Sequence, residues 1–201
     1  MGGVDSYGKD FLLSFVPLLV AIDAIGTVPI ILVLSEGSSR WERFKMINIA
    51  LLTALTLGLG FLFAGRTLLH FLSIEVDHFA IAGGIVLLVL AIKDLVGQSS
   101  YQIPDKREMI AVVPIGTPLT VGPATLATLL ILSDQSGYSV VLPAFVANIA
   151  IAWAVFLLAG VFAAFLGKGG LQALSKVSHL FLAAIAVRLI VTGLDRTLLA
   201  S

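Results

Sequence analysis

The stretch Val113-Pro114-Ile115-Gly116-Thr117-Pro118-Leu119-Thr120-Val121-Gly122-Pro123-Ala124-Thr125 combines two properties that seldom meet. It sits inside residues 109 to 133, which contain no Asp, Glu, Lys or Arg. That run is longer than the roughly 20 apolar residues that cross a bilayer as a helix. Yet between positions 114 and 123 it holds three prolines and two glycines. Proline removes a backbone donor and collides with the preceding turn, while glycine relaxes the local dihedrals. The stretch therefore predicts a membrane span whose helix is interrupted midway. In hydrocarbon the freed backbone groups must be satisfied by protein or by water in a cavity, so the interruption also predicts a polar interior.

The flanking sequence has the same character. Residues 135 to 167 are again free of Asp, Glu, Lys and Arg. Over the whole chain 59% of residues are hydrophobic, only 12% are charged, and the mean hydropathy is +1.09. Soluble domains carry about a quarter charged residues, so a water-soluble fold is excluded. The chain has no cysteine, which removes disulfide frameworks, thiolate metal sites and dithiol relays. Its formal net charge is zero and it has no basic run, so nothing offers a footprint for nucleic acid. Met1 to Asp10 lacks the basic region of a cleavable signal, and the first apolar stretch is read as a permanent span.

Apolar runs and their breaks predict six spans, at residues 11–35, 46–65, 78–97, 110–133, 140–166 and 178–195. Turn-forming residues separate them, as in Ser35-Glu36-Gly37-Ser38-Ser39, Ser133-Asp134-Gln135-Ser136-Gly137 and Gly167-Lys168-Gly169-Gly170. On this reading Arg40, Arg43, Lys45, Lys93, Lys106, Arg107, Lys168 and Lys176 share one side, against Lys9, Arg66, Arg188 and Arg196 on the other. Basic residues stay in the cytoplasm, which predicts a multi-pass protein of the inner cell membrane with both termini outside.

The halves repeat. Leu32-Val33-Leu34-Ser35-Glu36 resembles Leu130-Ile131-Leu132-Ser133-Asp134, Asn48-Ile49-Ala50 recurs unchanged as Asn148-Ile149-Ala150, and the stretch from His78 parallels the stretch from His179. All three matches share an offset of 98 to 101 residues, which is harder to reach by accident than a shared composition. The expected architecture is all-α: a first repeat over residues 1–100 and a second over residues 101–201, forming one membrane domain. Three spans per repeat leave the second repeat entering from the opposite face, so the two are inverted. Inverted repeats are the frame in which secondary transporters hold a midplane site between discontinuous helices.

The segment equivalent to 110–133 is the first, and it too is interrupted, at Asp23-Ala24-Ile25-Gly26-Thr27-Val28-Pro29. Half-helix N-termini attract a carboxylate, and unwound carbonyls hold an ammonium group or a cation. The candidate substrate-binding residues are Asp23, Gly26, Thr27, Thr117, Thr120, Gly122 and Thr125 at the two breaks, with the repeat-related pair Asn48 and Asn148. The competing reading is that the prolines merely kink packed helices, with the Thr hydroxyls bonded back to the preceding turn. Asp23 is the only carboxylate central to an expected span, where a charge costs at least ~2.5 kcal/mol. It either serves a ligand, cation or proton, or caps the second half-helix near Gly26. Asn48 and Asn148 have an alternative role as interhelical bonds. His78 and His179 fall at expected span entrances and read as interfacial, and Arg188 reads as snorkelling to the surface.

In order along the chain, these motifs resemble the MarC family (UPF0056) of six-span inner-membrane proteins, grouped with the amino-acid-exporting LysE superfamily. Asp23 to Pro29 is similar to the family's Asp-Pro-Ile-Gly-Asn-x-Pro signature, and Pro118 to Thr125 to its Pro-Leu-x-x-Gly-Pro stretch. Ala82-Gly83-Gly84-Ile85, Ala91-Ile92, Leu182 to Val187 and Gly193 extend the resemblance from about residue 11 to 195. The chain departs from the signature at Ala24, where the family has Pro, and at Thr27, where it has Asn. The resemblance implies transport of small neutral amino acids such as glycine, alanine, serine or threonine, the activity assigned to archaeal relatives.

The expected function is therefore a secondary transporter, with an ion or small-solute channel or a non-transporting assembly subunit as the alternative. No enzyme is expected: an intramembrane aspartyl protease needs two deep carboxylates, a serine protease needs a deep Ser and His, and no metal-ligand cluster is legible. No cofactor is expected beyond a coupling ion, H⁺ or Na⁺. The expected partners are the amino-acid substrate and the lipid bilayer, with a homo-oligomer expected by analogy.

Overall fold

The computed structural model describes residues 2–35, 37–96 and 120–199. All the described secondary structure is helical: α1 (Gly2–Ile22), α2 (Ala24–Leu34), α3 (Arg40–Phe71), α4 (Val76–Val96), α5 (Pro123–Ser136), α6 (Tyr138–Leu157) and α7 (Ala159–Leu199). Local sequence explains their ends. Helix α3 starts with a capping box, in which Ser39 accepts from the Glu42 amide at 3.2 Å and Glu42 accepts from the Ser39 amide at 2.7 Å. Helix α5 starts with Gly122 at its N-cap and Pro123 in its first turn, where a missing N–H costs nothing. Helix α7 breaks at Gly167, whose φ of 64° and ψ of 178° suit a residue without Cβ.

Among the described residues five stretches are long and apolar enough to cross a membrane: Tyr7–Leu32, Arg40–Phe71, Val76–Lys93, Tyr138–Leu157 and Gly169–Leu198. The first runs through α1 and α2, which the break at Asp23 separates. The fourth expected span is described only from Thr120 onward, and its helix α5 has 14 residues, too few to cross alone. Two expected boundaries are corrected. The fifth span ends at Leu157 rather than 166, because the helix stops at Leu158 and a separate stretch leads to the turn at Gly167. The sixth begins at Gly169 rather than 178, because the polar positions Ser175, Lys176 and Ser178 continue the helix instead of forming a loop.

The main core is built from α1, α2, α3, α5 and α6, around Leu18, Ile31, Ile47, Leu62, Leu129 and Phe145. Outward positions such as Leu12, Phe63 and Val89 are exposed apolar side chains, as lipid contact requires. The end of the bundle where α1 begins is stitched across helices: Tyr7 donates to the Ser139 carbonyl at 3.1 Å, Arg66 pairs with Asp134, and Arg196 lies 3.6 Å from Asp77.

Helices α4 and α7 cross with their backbones close together. A Cβ built on Gly84 would lie 2.8 Å from the Ala186 carbonyl, and one on Gly193 would lie 2.8 Å from the Asp77 carbonyl. On a third position, Gly83, a Cβ would come within 3.0 Å of Ala127 and 3.4 Å of the Pro123 carbonyl, so the start of α5 rests on the same helix. Small residues let backbones approach where no hydrophobic effect drives association. Gly84→Ala should destabilise the purified protein by about 1–3 kcal/mol, the usual cost of overpacking. Gly60→Ala, where a Cβ meets nothing within 4 Å, serves as the control. Thermal unfolding in detergent checks this, and equal midpoints for the two variants would contradict the tight crossing.

Candidate functional site

Asp23 is the hinge of the site. It interrupts the first span in the left-handed region, with φ of 45°, a conformation that Asp tolerates better than most side chains. The interruption leaves backbone groups that hydrocarbon cannot solvate, and the surrounding residues take them up. The Asp23 amide donates to Val20 O at 3.1 Å, and Asp23 O accepts both the Thr27 amide at 3.1 Å and the Thr27 hydroxyl at 2.8 Å. Asp23 Oδ1 accepts the Gly26 amide at 3.0 Å, an N-cap of α2 in which the carboxylate also faces the positive end of the helix. Gly26 is required for this contact, since a Cβ there would lie 2.2 Å from Asp23 Oδ2.

The second break faces the first. Gly122 takes an extended conformation, with φ of −90° and ψ of −175°, and α5 starts without any side-chain cap. Thr125, in the first turn of α5, donates across to Ala21 O at 3.1 Å and toward Thr120 O at 3.3 Å. Its one proton is shared between a carbonyl from the end of α1 and one from its own break, nearer the first. Thr120 is buried at 3% exposure, yet its hydroxyl makes no hydrogen bond among the described residues.

Between the breaks lies a cavity of about 180 Å³. Its polar wall is Asp23, Gly26, Thr27, Thr120, Gly122 and Thr125, with His179 from α7; Val86, Leu87, Leu90 and Ala91 of α4 form the apolar wall. Six of the nine predicted site residues therefore meet here. Thr117 lies outside the described residues. Asn48 and Asn148 do not reach the cavity. Asn48 donates to Phe44 O at 2.9 Å and accepts from the Trp153 indole at 3.0 Å, joining α3 to α6. Asn148, 1% exposed, donates to Phe15 O at 3.1 Å and Ala144 O at 2.9 Å, joining α6 to α1. These asparagines bond helices to one another, the alternative role that such residues take in membranes.

Sequence reasoning missed Ser178 and His179. Ser178 donates to Asp23 Oδ1, and His179 Nε2 lies 3.9 Å from Asp23 Oδ2. His179 is not interfacial: with the helix beginning at Gly169, it stands well inside the span and is buried at 8% exposure. The repeat alignment offered no signal for this, because His78 is exposed as expected.

The arrangement has two helix starts aimed at one small space, one finished by a carboxylate and the other left open. The carboxylate favours a cationic group beside it, and the open start of α5 favours an anionic one.

Comparison of the sequence with known proteins identifies a family. Residues 8–198 match the model of the MarC family of integral membrane proteins. A UPF0056 membrane protein of Methanocaldococcus jannaschii is 30% identical over 94% of this chain and 98% of its own. The UPF0056 inner membrane protein YhgN of Escherichia coli is 32% identical over 92% of this chain and 96% of its own. A UPF0056 membrane protein of Archaeoglobus fulgidus is 27% identical over 98% of both chains. No solved structure matches the chain. With the family matched over nearly its full length, the chain belongs to the MarC family of multi-pass integral membrane proteins.

Proposed function

We propose that the protein is a secondary transporter of small neutral amino acids, binding its substrate in the cavity between Asp23 and the start of α5. The observation that carries this reading is the pairing of an uncapped helix N-terminus with a largely buried carboxylate across about 180 Å³. That volume is roughly the liquid volume of six waters, well under the 300–1,000 Å³ typical of drug-sized ligand sites. It suits a zwitterion with a short side chain. The substrate carboxylate would take the free amides of α5 and the ammonium would face Asp23. The Thr120 hydroxyl, buried without a partner among the described residues, would complete the shell. Thr27 and Thr125 act on the breaks themselves, since their hydroxyls are engaged by backbone carbonyls.

Alternating access is the mechanism that the packing favours. Helix α2 packs on α7 while α5 packs on α4, and α3 meets α6 as α4 meets α7. Exchanging the two halves of the chain maps the α2–α7 pairing onto α5–α4 and leaves α3–α6 and α4–α7 unchanged, as inverted repeats would. The broken elements α2 and α5 each rest against the last helix of the opposite half, so a rocking motion of one half would open the cavity to one side and close it to the other. His179 beside Asp23 favours H⁺ over Na⁺ as the coupling ion, because a carboxylate and an imidazole can share a proton but the imidazole repels a cation when charged. The basic residues predict an inner-membrane location with both termini outside, and YhgN is itself named an inner membrane protein.

A hydrolase reading meets an obstacle in the same residues. Ser175 Oγ stands 3.5 Å from His179 Nδ1, longer than the nucleophile–base contact of acyl transfer, and Ser175 does not line the cavity.

Counterflow of radiolabelled glycine, alanine, serine and threonine into proteoliposomes tests the proposal. The native chain should show saturable exchange. Asp23→Asn should abolish it, and Gly26→Ala should match that loss because the added methyl displaces the carboxylate. Thr120→Val should raise the half-saturating concentration by roughly three- to tenfold, the worth of one hydrogen bond. Flux that does not saturate and shows no counterflow would make the cavity a pore. Intact, loaded vesicles that exchange none of the four amino acids would overturn the substrate class.

A further inference from the structure

Where α1 begins, the side of the bundle poorer in basic residues carries Lys9, Arg66, Arg188 and Arg196. Two of them are matched: Arg66 pairs with Asp134, and Arg196 lies 3.6 Å from Asp77. Lys9 and Arg188 have no carboxylate partner among the described residues, and both line one cleft of about 610 Å³. The rest of its lining is Leu12, Leu13, Val16 and Pro17 of α1. Asp10, next to Lys9 in sequence, is not part of the lining.

The order of these groups along the membrane normal matters. Tyr7, whose hydroxyl bonds Ser139 O, and Tyr138, whose ring stacks on Phe63 at 5.8 Å, place amphipathic aromatics at this end, as at a bilayer interface. Lys9 follows Tyr7 closely. Arg188 lies about two and a half turns beyond His179, and its long side chain lines the same cleft as Lys9. From there Leu12, Leu13, Val16 and Pro17 run toward the bilayer centre, the first three more than half exposed. Two unmatched cations, Lys9 near the outer end of α1 and Arg188 deeper in its own span, therefore share one apolar trough.

We propose that this cleft binds one anionic phospholipid, with its phosphate on Arg188 and Lys9 and an acyl chain along Leu12, Leu13 and Val16. Guanidinium is suited to a phosphate because its fork donates two parallel hydrogen bonds, and Lys adds a point charge. A zwitterionic lipid leaves the two cations uncompensated, since its own ammonium offsets its phosphate. A protein partner on this face would bury both cations away from the headgroups and would have to supply carboxylates of its own. This site is separate from the Asp23 cavity, and its test does not depend on what that cavity carries.

Native mass spectrometry of the full chain in a non-ionic detergent reads it directly, by titration with phosphatidylglycerol and phosphatidylcholine of identical acyl chains. The native chain should hold phosphatidylglycerol roughly tenfold more tightly, as expected for two basic residues near one anionic headgroup. The double variant Lys9→Gln, Arg188→Gln should bind both lipids alike, at the phosphatidylcholine level. Leu13→Trp, which fills the trough and keeps the charges, should weaken both lipids. Equal binding of the two lipids by the native chain would overturn the proposal, as would a double variant that keeps the preference. Displacement of the lipid by soluble glycerol phosphate at the same concentration would reduce the site to one for free anions. A change in oligomer mass in the double variant, with lipid adducts unaltered, would assign the face to a second copy.

Discussion

A helix that stops inside a bilayer has to satisfy its own ends, and the structure is organised around meeting that demand at Asp23. Hydrocarbon offers no hydrogen bonds, and each unpaired backbone group facing it costs several kcal/mol. Asp23 resolves the problem with its amide, its carbonyl and its carboxylate, serving Val20, Thr27 and Gly26 in turn. The carbonyl of Ala21, left over at the end of α1, is taken by Thr125 from the opposite break. The two interruptions are therefore coupled through a hydrogen bond that neither could make alone, and the cavity is the space enclosed by that arrangement.

The cost of the carboxylate follows the same logic. A charge at the centre of a span costs about 2.5–3.5 kcal/mol on insertion scales. Hydrogen bonds to a charged group contribute about 1.5–3 kcal/mol each, and Asp23 receives one from Gly26 and one from Ser178. Those two bonds offset the insertion cost, so Asp23 does not require a ligand in order to be stable. Capping and binding are thus compatible roles for one side chain, because the cap occupies Oδ1 while Oδ2 faces His179.

How legible this is in the sequence depends on the kind of signal. Proline, glycine and aspartate break helices by local mechanisms, so the amino-acid order alone places the interruption at Asp23 and the helix start at Pro123. The long charge-free runs likewise determine the membrane class. What local pattern does not supply is helix continuity through Ser175, Lys176 and Ser178, where polar side chains look like a loop. Ser178 and His179 are hidden for that reason, since they reach Asp23 only because the helix starts at Gly169 rather than at Ser178. Asn48 and Asn148 mislead in the opposite direction. Their matching positions in the two halves suggest a shared ligand, but Asn48 is engaged by the Phe44 carbonyl of its own helix and the Trp153 indole of α6, and the Asn148 amide donates to Phe15 O of α1 and Ala144 O of its own helix.

The two half-helix starts are not finished alike, and the difference gives the cavity its polarity. Helix α2 begins with a carboxylate at its N-cap, whereas α5 begins with Gly122 and no side-chain cap. Two bare helix starts would present positive ends to the same space and would favour a dianion or two anions. Replacing one of them with a carboxylate reverses the sign at one wall and leaves it unchanged at the other. The cavity then has a direction that the backbone alone would not give it. On the proposed function, specificity for the amino-acid backbone would come from this asymmetry, and the apolar wall of Val86, Leu87, Leu90 and Ala91 would limit the side chain to a small one.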